Sequence, residues 1–199
     1  MTLVIGLTGG IATGKSTVTK MFQEIDIPVI DTDRIAHDML MKGTKGYDEV
    51  LISFSKSILL TNNEINRKKL ALIVFNNPQK RKILNDIIHP RIKLIVKNEI
   101  QKHKELGTKI IVLDVPLLFE TDFIDLVDKT VVVYTTDKQQ KERLMERERI
   151  DKDYAQLKIN AQMPLNQKID LADYVIDNSY SILKTKKAFR KIMEELEVK

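Results

Sequence analysis

The chain has 199 residues, of which 43% are hydrophobic and 31% charged, so it can form one domain of ordinary size with a hydrophobic core. It has no cysteine, which excludes disulfide bonds and thiolate metal sites and fits a reducing compartment such as the cytoplasm, where we expect the protein. The net charge of +5 comes from basic residues mixed with acids, aromatic residues make up 6%, and no apolar run approaches the roughly 20 residues of a membrane span. We therefore expect neither a nucleic-acid binder nor a membrane protein.

The first predicted strand, Leu3–Thr8, runs directly into a glycine-rich loop. It has no basic leading region, so we do not interpret the apolar N-terminus as a signal peptide. The loop reads G-x-x-x-x-G-K-S from Gly9 to Ser16, and a predicted helix with one apolar face continues to Ile25. Strand, glycine loop and helix in this order are the setting of the phosphate-binding Walker A loop.

The residue types of this loop fit nucleotide binding. Glycines let several backbone N–H groups point at one anion, and the positive end of the following helix strengthens the attraction. Lys15 can reach the β- and γ-phosphates, and the Ser16 hydroxyl is placed to bind Mg²⁺. An ordinary glycine turn would explain one or two glycines but not the whole pattern. The predicted nucleotide-binding residues are Gly10, Ile11, Ala12, Thr13, Gly14, Lys15, Ser16 and Thr17.

Two aspartates follow the second predicted strand, Ile27–Ile30, and precede a predicted helix that ends at Met41. In an open parallel sheet, strand-to-helix junctions form the edge where ligands bind. Asp31 or Thr32 could instead cap the helix, and Asp33 could favour its positive end. Beside a Walker A loop, we favour catalysis or metal organisation for at least one of the two.

Residues 42–105 lack strand character and predict a helical insertion. Leu51–Leu60 is a short mixed segment, and Asn66–Asn76 fits a helix. Pro78 opens another helix, which we expect His89-Pro90 to interrupt, since proline suits the first turn of a new helix. The basic residues of this insertion could form a pocket for an anionic co-substrate or could simply be exposed.

The strand pattern returns at Lys109–Asp114 and Thr130–Tyr134, both apolar enough to be buried on two faces. Asp114 resembles a Walker B aspartate, although many buried strands end in aspartate. The helical segment Lys138–Arg149 carries Arg143 and Arg147 on one face. These arginines could form a mobile lid over the γ-phosphate or pair with glutamates on an exposed helix.

We predict further helix and loop over 150–169 and a fifth strand over Ala172–Asn178. A closing helix is predicted over Ser181–Lys199. The alternation of strands and helices predicts an α/β fold, a five-stranded parallel sheet with helices on both faces.

Taken together, these motifs resemble those of dephospho-coenzyme A kinases, which are P-loop kinases of the nucleoside-monophosphate kinase type. The resemblance covers nearly the whole chain. It rests on Ile5–Thr17, Val29–Asp33, His89-Pro90, Val115–Glu120, Arg143-x-x-x-Arg147, Gln162–Pro164 and Ala172–Asn178.

The resemblance implies that ATP, with Mg²⁺, phosphorylates the ribose 3′-hydroxyl of dephospho-CoA to give CoA and ADP. It also implies a P-loop core at 1–41, 107–137 and 170–199, a helical acceptor-binding insertion at 42–106 and a lid at 138–169. We expect a monomer or a weak homo-oligomer.

Residue roles follow by matching position. Asp33 looks like the acceptor of the hydroxyl proton, acting with Lys15 and Arg143 as the catalytic set. Asp31 would hold Mg²⁺ waters or the acceptor, and Ser16 would bind Mg²⁺. Arg147 joins Arg143 at adenine or phosphate, and Asn178 lies near adenine. The acceptor side would include His89, Pro116, Leu117, Leu118 and Glu120, although His89 could instead cap a helix at Pro90.

The sequence departs from the family pattern at two places. The loop has Ile11-Ala12-Thr13 where glycine and serine are more usual, but the loop acts through its backbone, so we expect little effect. Lys158 stands where arginine is expected, and lysine lacks the planar fork needed for bidentate contacts.

Three other functions compete with this interpretation. A kinase for a nucleoside monophosphate is the nearest, but the aspartate pair and the Pro116–Glu120 loop argue against it. A switch GTPase would need an N-K-x-D motif, which Asn166–Asp170 only approaches. A basic ATP-dependent nucleic-acid binder would show salt-sensitive binding to oligonucleotides.

Overall fold

The computed structural model of the protein describes residues 2–197. Within them, five strands form one sheet: β1 Leu3–Gly9, β2 Val29–Asp31, β3 Ile110–Asp114, β4 Lys129–Tyr134 and β5 Tyr174–Asp177. The helices are α1 Lys15–Gln23, α2 Thr32–Met39, α3 Lys45–Phe54, α4 Arg67–Asn76, α5 Pro78–Glu105, α6 Asp137–Glu148, α7 Lys152–Asn160, α8 Leu165–Asp170 and α9 Ile182–Glu197. Short 3₁₀ helices lie at Lys56–Ile58 and Asp122–Leu126.

The strand order is β2-β3-β1-β4-β5, and all strands are parallel, as the sequence predicts. Strand β1 is central: its Leu7 pairs with Asp114 of β3 on one side and with Val131 of β4 on the other. Because parallel strands begin and end at the same edges, the carboxyl ends of β1, β3 and β4 lie side by side. The loop that follows β1 therefore lies next to the residues that follow its two neighbours.

The described residues divide into two compact units, one of residues 2–30 and 100–197 and one of residues 31–99. In the first, helices α1 and α9 pack on the sheet, and the rings of Phe22 and Phe189 meet edge to face with centroids 4.8 Å apart. The second has its own apolar core, formed by Tyr47, Val50, Phe54, Ile58, Ile65 and Leu70.

The predicted interruption at His89-Pro90 is wrong, because α5 is continuous and Pro90 lies inside it. Proline removes one N–H donor from a helix interior. The Arg91 guanidinium donates to the Ile87 carbonyl over 2.7 Å, which adds a bond in the same turn. Residues Ile92 and Val96 downstream are buried, so the apolar stripe favours a continuous helix. His89 therefore does not cap a helix.

The mixed segment predicted at Leu51–Leu60 is also different in the structure. Helix α3 already begins at Lys45, because the Thr44 hydroxyl accepts a hydrogen bond from the Tyr47 N–H over 3.1 Å. The buried residues Tyr47, Val50 and Phe54 follow at helical spacing and hold it in place. Other boundaries shift by a few residues. Residues 198 and 199 of the predicted closing helix lie outside the described residues.

In the part of the chain that the structure describes, none of the helices combines the length and the apolar character that a bilayer crossing requires.

Candidate active site

The glycine-rich loop connects the end of β1 at Gly9 to the start of α1 at Lys15. Two of its residues have left-handed backbones: Ala12, with φ +61°, and Gly14, with φ +95°. Thr13 is buried and closes the turn, since its N–H and its hydroxyl both donate to the Gly10 carbonyl, over 3.2 and 2.9 Å. Gly14 occupies the N-cap of α1 and provides no side chain to cap it. The first N–H groups of the helix are thus available for an anion.

Within residues 2–197, three side-chain amides from distant parts of the chain hold this loop. The Gln140 amide donates to the Ile11 carbonyl over 2.8 Å, and the Gln162 amide oxygen accepts from the Ile11 N–H over 2.8 Å. The Asn178 amide donates to the Thr13 carbonyl over 2.9 Å. Side chains from neighbouring elements therefore hold the loop backbone at Ile11 and at Thr13.

The glycines allow these amides to come close. A Cβ atom on Gly10 would lie 2.5 Å from the Gln140 Nε2 atom, and one on Gly14 would lie 2.0 Å from the Asn178 Nδ2 atom. A Cβ on Gly9 would lie 2.8 Å from the Val133 carbonyl oxygen. Any side chain at these positions would displace a group that holds the loop.

The two charged groups nearest the loop are paired with each other. The Lys15 ammonium bonds to the Asp114 carboxylate, whose second oxygen accepts from the Thr19 hydroxyl over 2.7 Å. Asp114 ends β3 and is only 3% exposed, so its charge needs these partners. Ser16, in contrast, is exposed in the first turn of α1.

A magnesium site can be judged from the oxygen donors present. Among the described residues, no cluster of three or more histidine, aspartate or glutamate side chains is arranged to hold a metal. Magnesium at phosphoryl-transfer sites uses one or two protein oxygens together with phosphate oxygens and water. The Ser16 hydroxyl and the Asp114 carboxylate are donors of the required kind.

The Pro116–Glu120 loop is anchored inside the first unit. The Pro116 carbonyl accepts from the Thr8 hydroxyl and from the Lys168 ammonium, each over 3.0 Å. Glu120 forms an ion pair of 2.9 Å with Lys168 and accepts from the Met163 N–H over 3.0 Å. Leu118 is buried, whereas Leu117 is partly exposed. Burial lowers the pKa of Lys168 most strongly, the Lys15 charge lowers it further, and the Glu120 bond opposes both.

The two arginines of α6 have different surroundings. The Arg143 guanidinium is half-buried and donates to the Asn178 carbonyl over 3.0 Å and to the Thr135 hydroxyl over 3.4 Å. Arg147 is exposed and pairs with Glu148 over 2.9 Å. The pairing of Arg147 fits the alternative of an exposed helix with glutamate partners, and the lid over the γ-phosphate stays a prediction. Lys158 also bonds to Glu148.

The predicted acceptor residues of the second unit lie on α2 and α5. The Asp31 carboxylate accepts from the Arg34 N–H over 3.0 Å, so it does cap α2. Asp33 is exposed in the first turn of that helix, and His89 lies within α5. A groove of about 830 Å³ lies within this unit, with Ile35, Met39, Leu94 and Ile95 as its apolar lining and Arg91 at its wall.

The sequence pointed to the loop, Lys15, Ser16, Arg143 and Asn178, but not to what holds them. Gln140 and Lys168 lie in ordinary charged helices, and nothing in their sequence setting marks them. Gln162 belongs to the Gln162–Pro164 segment, which was a motif without an assigned role. The family resemblance places Asn178 near adenine, and in the structure its side-chain amide donates to the loop backbone at Thr13.

Comparison with known proteins decides which kinase this site resembles. Residues 3–184 match the model of the CoaE family, described as dephospho-CoA kinase. The chain belongs to the dephospho-CoA kinase family.

Individual relatives support the dephospho-CoA kinase assignment. The dephospho-CoA kinase of Listeria innocua is 45% identical over 183 residues, which cover 92% of each chain. A solved dephospho-CoA kinase from Campylobacter jejuni superposes with a TM-score of 0.73 at 28% identity, covering 98% of both chains. A crystal structure of a protein from Thermus thermophilus gives a TM-score of 0.82 at 27% identity over the same share.

The close approach at Gly14 can be tested with a matched glycine. Gly14 and Gly43 have nearly the same φ, +95° and +91°, but a Cβ on Gly43 would meet no described atom within 4 Å. Gly43→Ala should therefore lower the free energy of unfolding in urea by about 1–2 kcal/mol, the cost of a left-handed backbone at alanine. Gly14→Ala should lower the free energy of unfolding by more than this, since its Cβ displaces Asn178. It should also weaken ATP binding at least tenfold, as measured by calorimetry. Equal losses of stability with unchanged ATP affinity would contradict this account of the loop.

Proposed function

We propose that this protein transfers the γ-phosphoryl group of ATP to the ribose 3′-hydroxyl of dephospho-CoA, giving CoA and ADP in the last step of CoA biosynthesis. The observation that carries the proposal is the family match over residues 3–184. The loop after the central strand is the nucleotide-binding element that such a kinase requires. A nucleoside-monophosphate acceptor is not favoured, because relatives of 45% identity are dephospho-CoA kinases.

On the nucleotide side, the loop backbone from Gly10 to Thr17 binds the β- and γ-phosphates. Phosphoryl transfer needs little covalent chemistry from the protein, so positioning and charge stabilisation carry most of the catalysis. The pairing with Asp114 keeps the Lys15 ammonium in place before ATP arrives. The shape of the loop is set beforehand by the three amides, so binding does not have to order it.

The arginines and Asn178 complete the nucleotide side of the proposal. Arg143 is fixed by two hydrogen bonds, so its planar guanidinium is available as a surface for adenine or as a phosphate contact. Arg147 is exposed and can exchange Glu148 for a phosphate. Asn178 supports the nucleotide through the Thr13 carbonyl, and adenine lies beside it.

We assign Mg²⁺ to the Ser16 hydroxyl, with Asp114 as a group that would orient its bound waters, and Asp31 is a proposed residue of the acceptor side. The ion would supply positive charge against the negative charge that develops on the phosphates, and the Ser16 hydroxyl would hold it there. Both Ser16 and Asp114 offer oxygen, the donor that magnesium prefers.

On the acceptor side, Asp33 takes the proton from the 3′-hydroxyl and orients that oxygen for in-line attack. Its place in the first turn of α2 is near the positive end of the helix, where a negative charge is favoured. The apolar groove of the second unit is suited to the pantetheine arm, since apolar grooves with a few polar groups hold flexible ligand chains. His89, Pro116, Leu117 and Leu118 remain proposed acceptor-side residues.

The acceptor can be identified by ADP release measured with dephospho-CoA, AMP and adenosine. We expect turnover with dephospho-CoA and a much higher KM for AMP, which has the ribose but not the pantetheine arm. EDTA should abolish the activity and excess Mg²⁺ should restore it, while Lys15→Ala should remove most of it. Preferred turnover of AMP, or no stimulation by dephospho-CoA, would overturn the proposal.

The role of Asp33 can be tested against Asp48, which is likewise exposed in the first turn of a helix, α3. Asp33→Asn should lower kcat about 100-fold, as expected for loss of a general base, with both KM values little changed. Asp48→Asn loses the same helix-end charge and should leave kcat unaltered. Arg143→Ala should instead raise the KM for ATP. A normal kcat for Asp33→Asn would rule out the proton-acceptor role.

We also propose that the enzyme works in the cytoplasm as a monomer or a weak homo-oligomer. Cell fractionation and analytical ultracentrifugation at micromolar concentration test these two statements. Recovery in the membrane fraction, or a stable high-order assembly, would contradict them.

A further inference from the structure

Lys168 is a charged residue that the proposed mechanism does not use. It lies on the short helix α8 and its side chain is 0% exposed. Lysine is almost never fully buried unless it is paired, because removing the ammonium from water is unfavourable. The position of this charge therefore has to be explained by its contacts.

These contacts join two segments that are far apart in the sequence. The ammonium donates to the Pro116 carbonyl and pairs with the Glu120 carboxylate, at the two ends of the loop that follows β3. The same Glu120 oxygen accepts from the Met163 N–H, in the connection between α7 and α8. Lys168 thus fastens the Pro116–Glu120 loop and, through Glu120, the residue next to Gln162.

Both segments lead directly to the phosphate loop. Gln162, beside Met163, accepts from the Ile11 N–H of the loop over 2.8 Å. Thr8, at the end of the central strand, donates to the same Pro116 carbonyl that Lys168 binds. Each path from the buried ammonium reaches the loop through hydrogen bonds of 2.8 to 3.0 Å.

We infer that Lys168 is a positioning residue for phosphoryl transfer, which holds Ile11 and the phosphate loop in register through Glu120, Met163 and Gln162. Glu120 then serves as the partner of Lys168, and its effect on catalysis passes through the loop. This inference rests on the proposed kinase function for its kinetic readout, and a second readout below is independent of activity.

The positive charge of Lys168 is essential to this role. A methionine at this position would fill the same volume but would carry no charge. Methionine has a similar length but cannot donate to Pro116 or pair with Glu120, so the Glu120 carboxylate would turn toward solvent. Release of Glu120 would free the Met163 N–H and loosen Gln162. We expect the loss to affect the binding of ATP, because the affected backbone is that of the phosphate loop.

A double-mutant cycle of Lys168→Met and Glu120→Gln tests the inference through kcat and the KM values of both substrates. Lys168→Met should raise the KM for ATP and lower kcat, each about tenfold. The double variant should be no worse than Lys168→Met alone, since the two residues act along one path. Lys191→Met, at an exposed lysine of α9, is the matched control and should behave as wild type.

Amide hydrogen exchange of Ile11 in the ATP-free protein gives the readout that does not depend on turnover. The wild-type amide should exchange slowly, and Lys168→Met and Gln162→Ala should both make it exchange at least tenfold faster. If Lys168→Met does not fold, Gln162→Ala and Glu120→Gln test the same path.

Wild-type kinetics and slow Ile11 exchange in the variants would overturn the inference. So would an effect of Glu120→Gln on the KM for dephospho-CoA alone, which would make Glu120 an acceptor ligand. An inactive wild-type protein would count against the proposed function, while the exchange result would still decide the role of Lys168.

Discussion

The site depends on the close packing of a glycine-rich backbone against side-chain amides. Gln140, Gln162 and Asn178 each bond to the phosphate loop at hydrogen-bond distance, and Gly10 and Gly14 leave the space for them. A buried polar backbone group must find a partner, and these amides supply it without occupying the open end of α1. The loop is thereby shaped for an anion, and its remaining N–H groups are the ones that a phosphate can bind.

Two ion pairs lie beside the phosphate loop in the first unit. Lys15 is balanced by Asp114 at the end of the neighbouring strand, and Lys168 is balanced by Glu120 in the loop that follows the same strand. Two cations are thus kept close to the phosphate loop, each with one carboxylate as its partner. Lys15 is the one of the two that the proposed mechanism uses, because the transferred group carries negative charge on three oxygens.

The sequence was sufficient for the sheet, because the buried parallel strands are continuous apolar runs and the glycine loop follows the first of them. It was insufficient at Pro90, where a local helix-breaking signal was weaker than the long apolar stripe on α5. Lys15 could be named from the spacing of its motif and Arg143 from its spacing to Arg147, whereas Asn178 followed only from the family resemblance. The roles of Gln140 and Lys168 could not be predicted, since the local sequence does not distinguish a buried glutamine or lysine from an exposed one. Only the tertiary contacts distinguish them.

The central claim is that this fold transfers phosphate from ATP to one particular hydroxyl group. The most direct measurement is ³¹P and ¹H NMR of the product formed from ATP, Mg²⁺ and dephospho-CoA. The account predicts a new phosphomonoester whose phosphorus couples to the ribose H3′ proton, with one ADP formed per ester. Phosphate attached at another position, or ADP formed without a new ester, would contradict it.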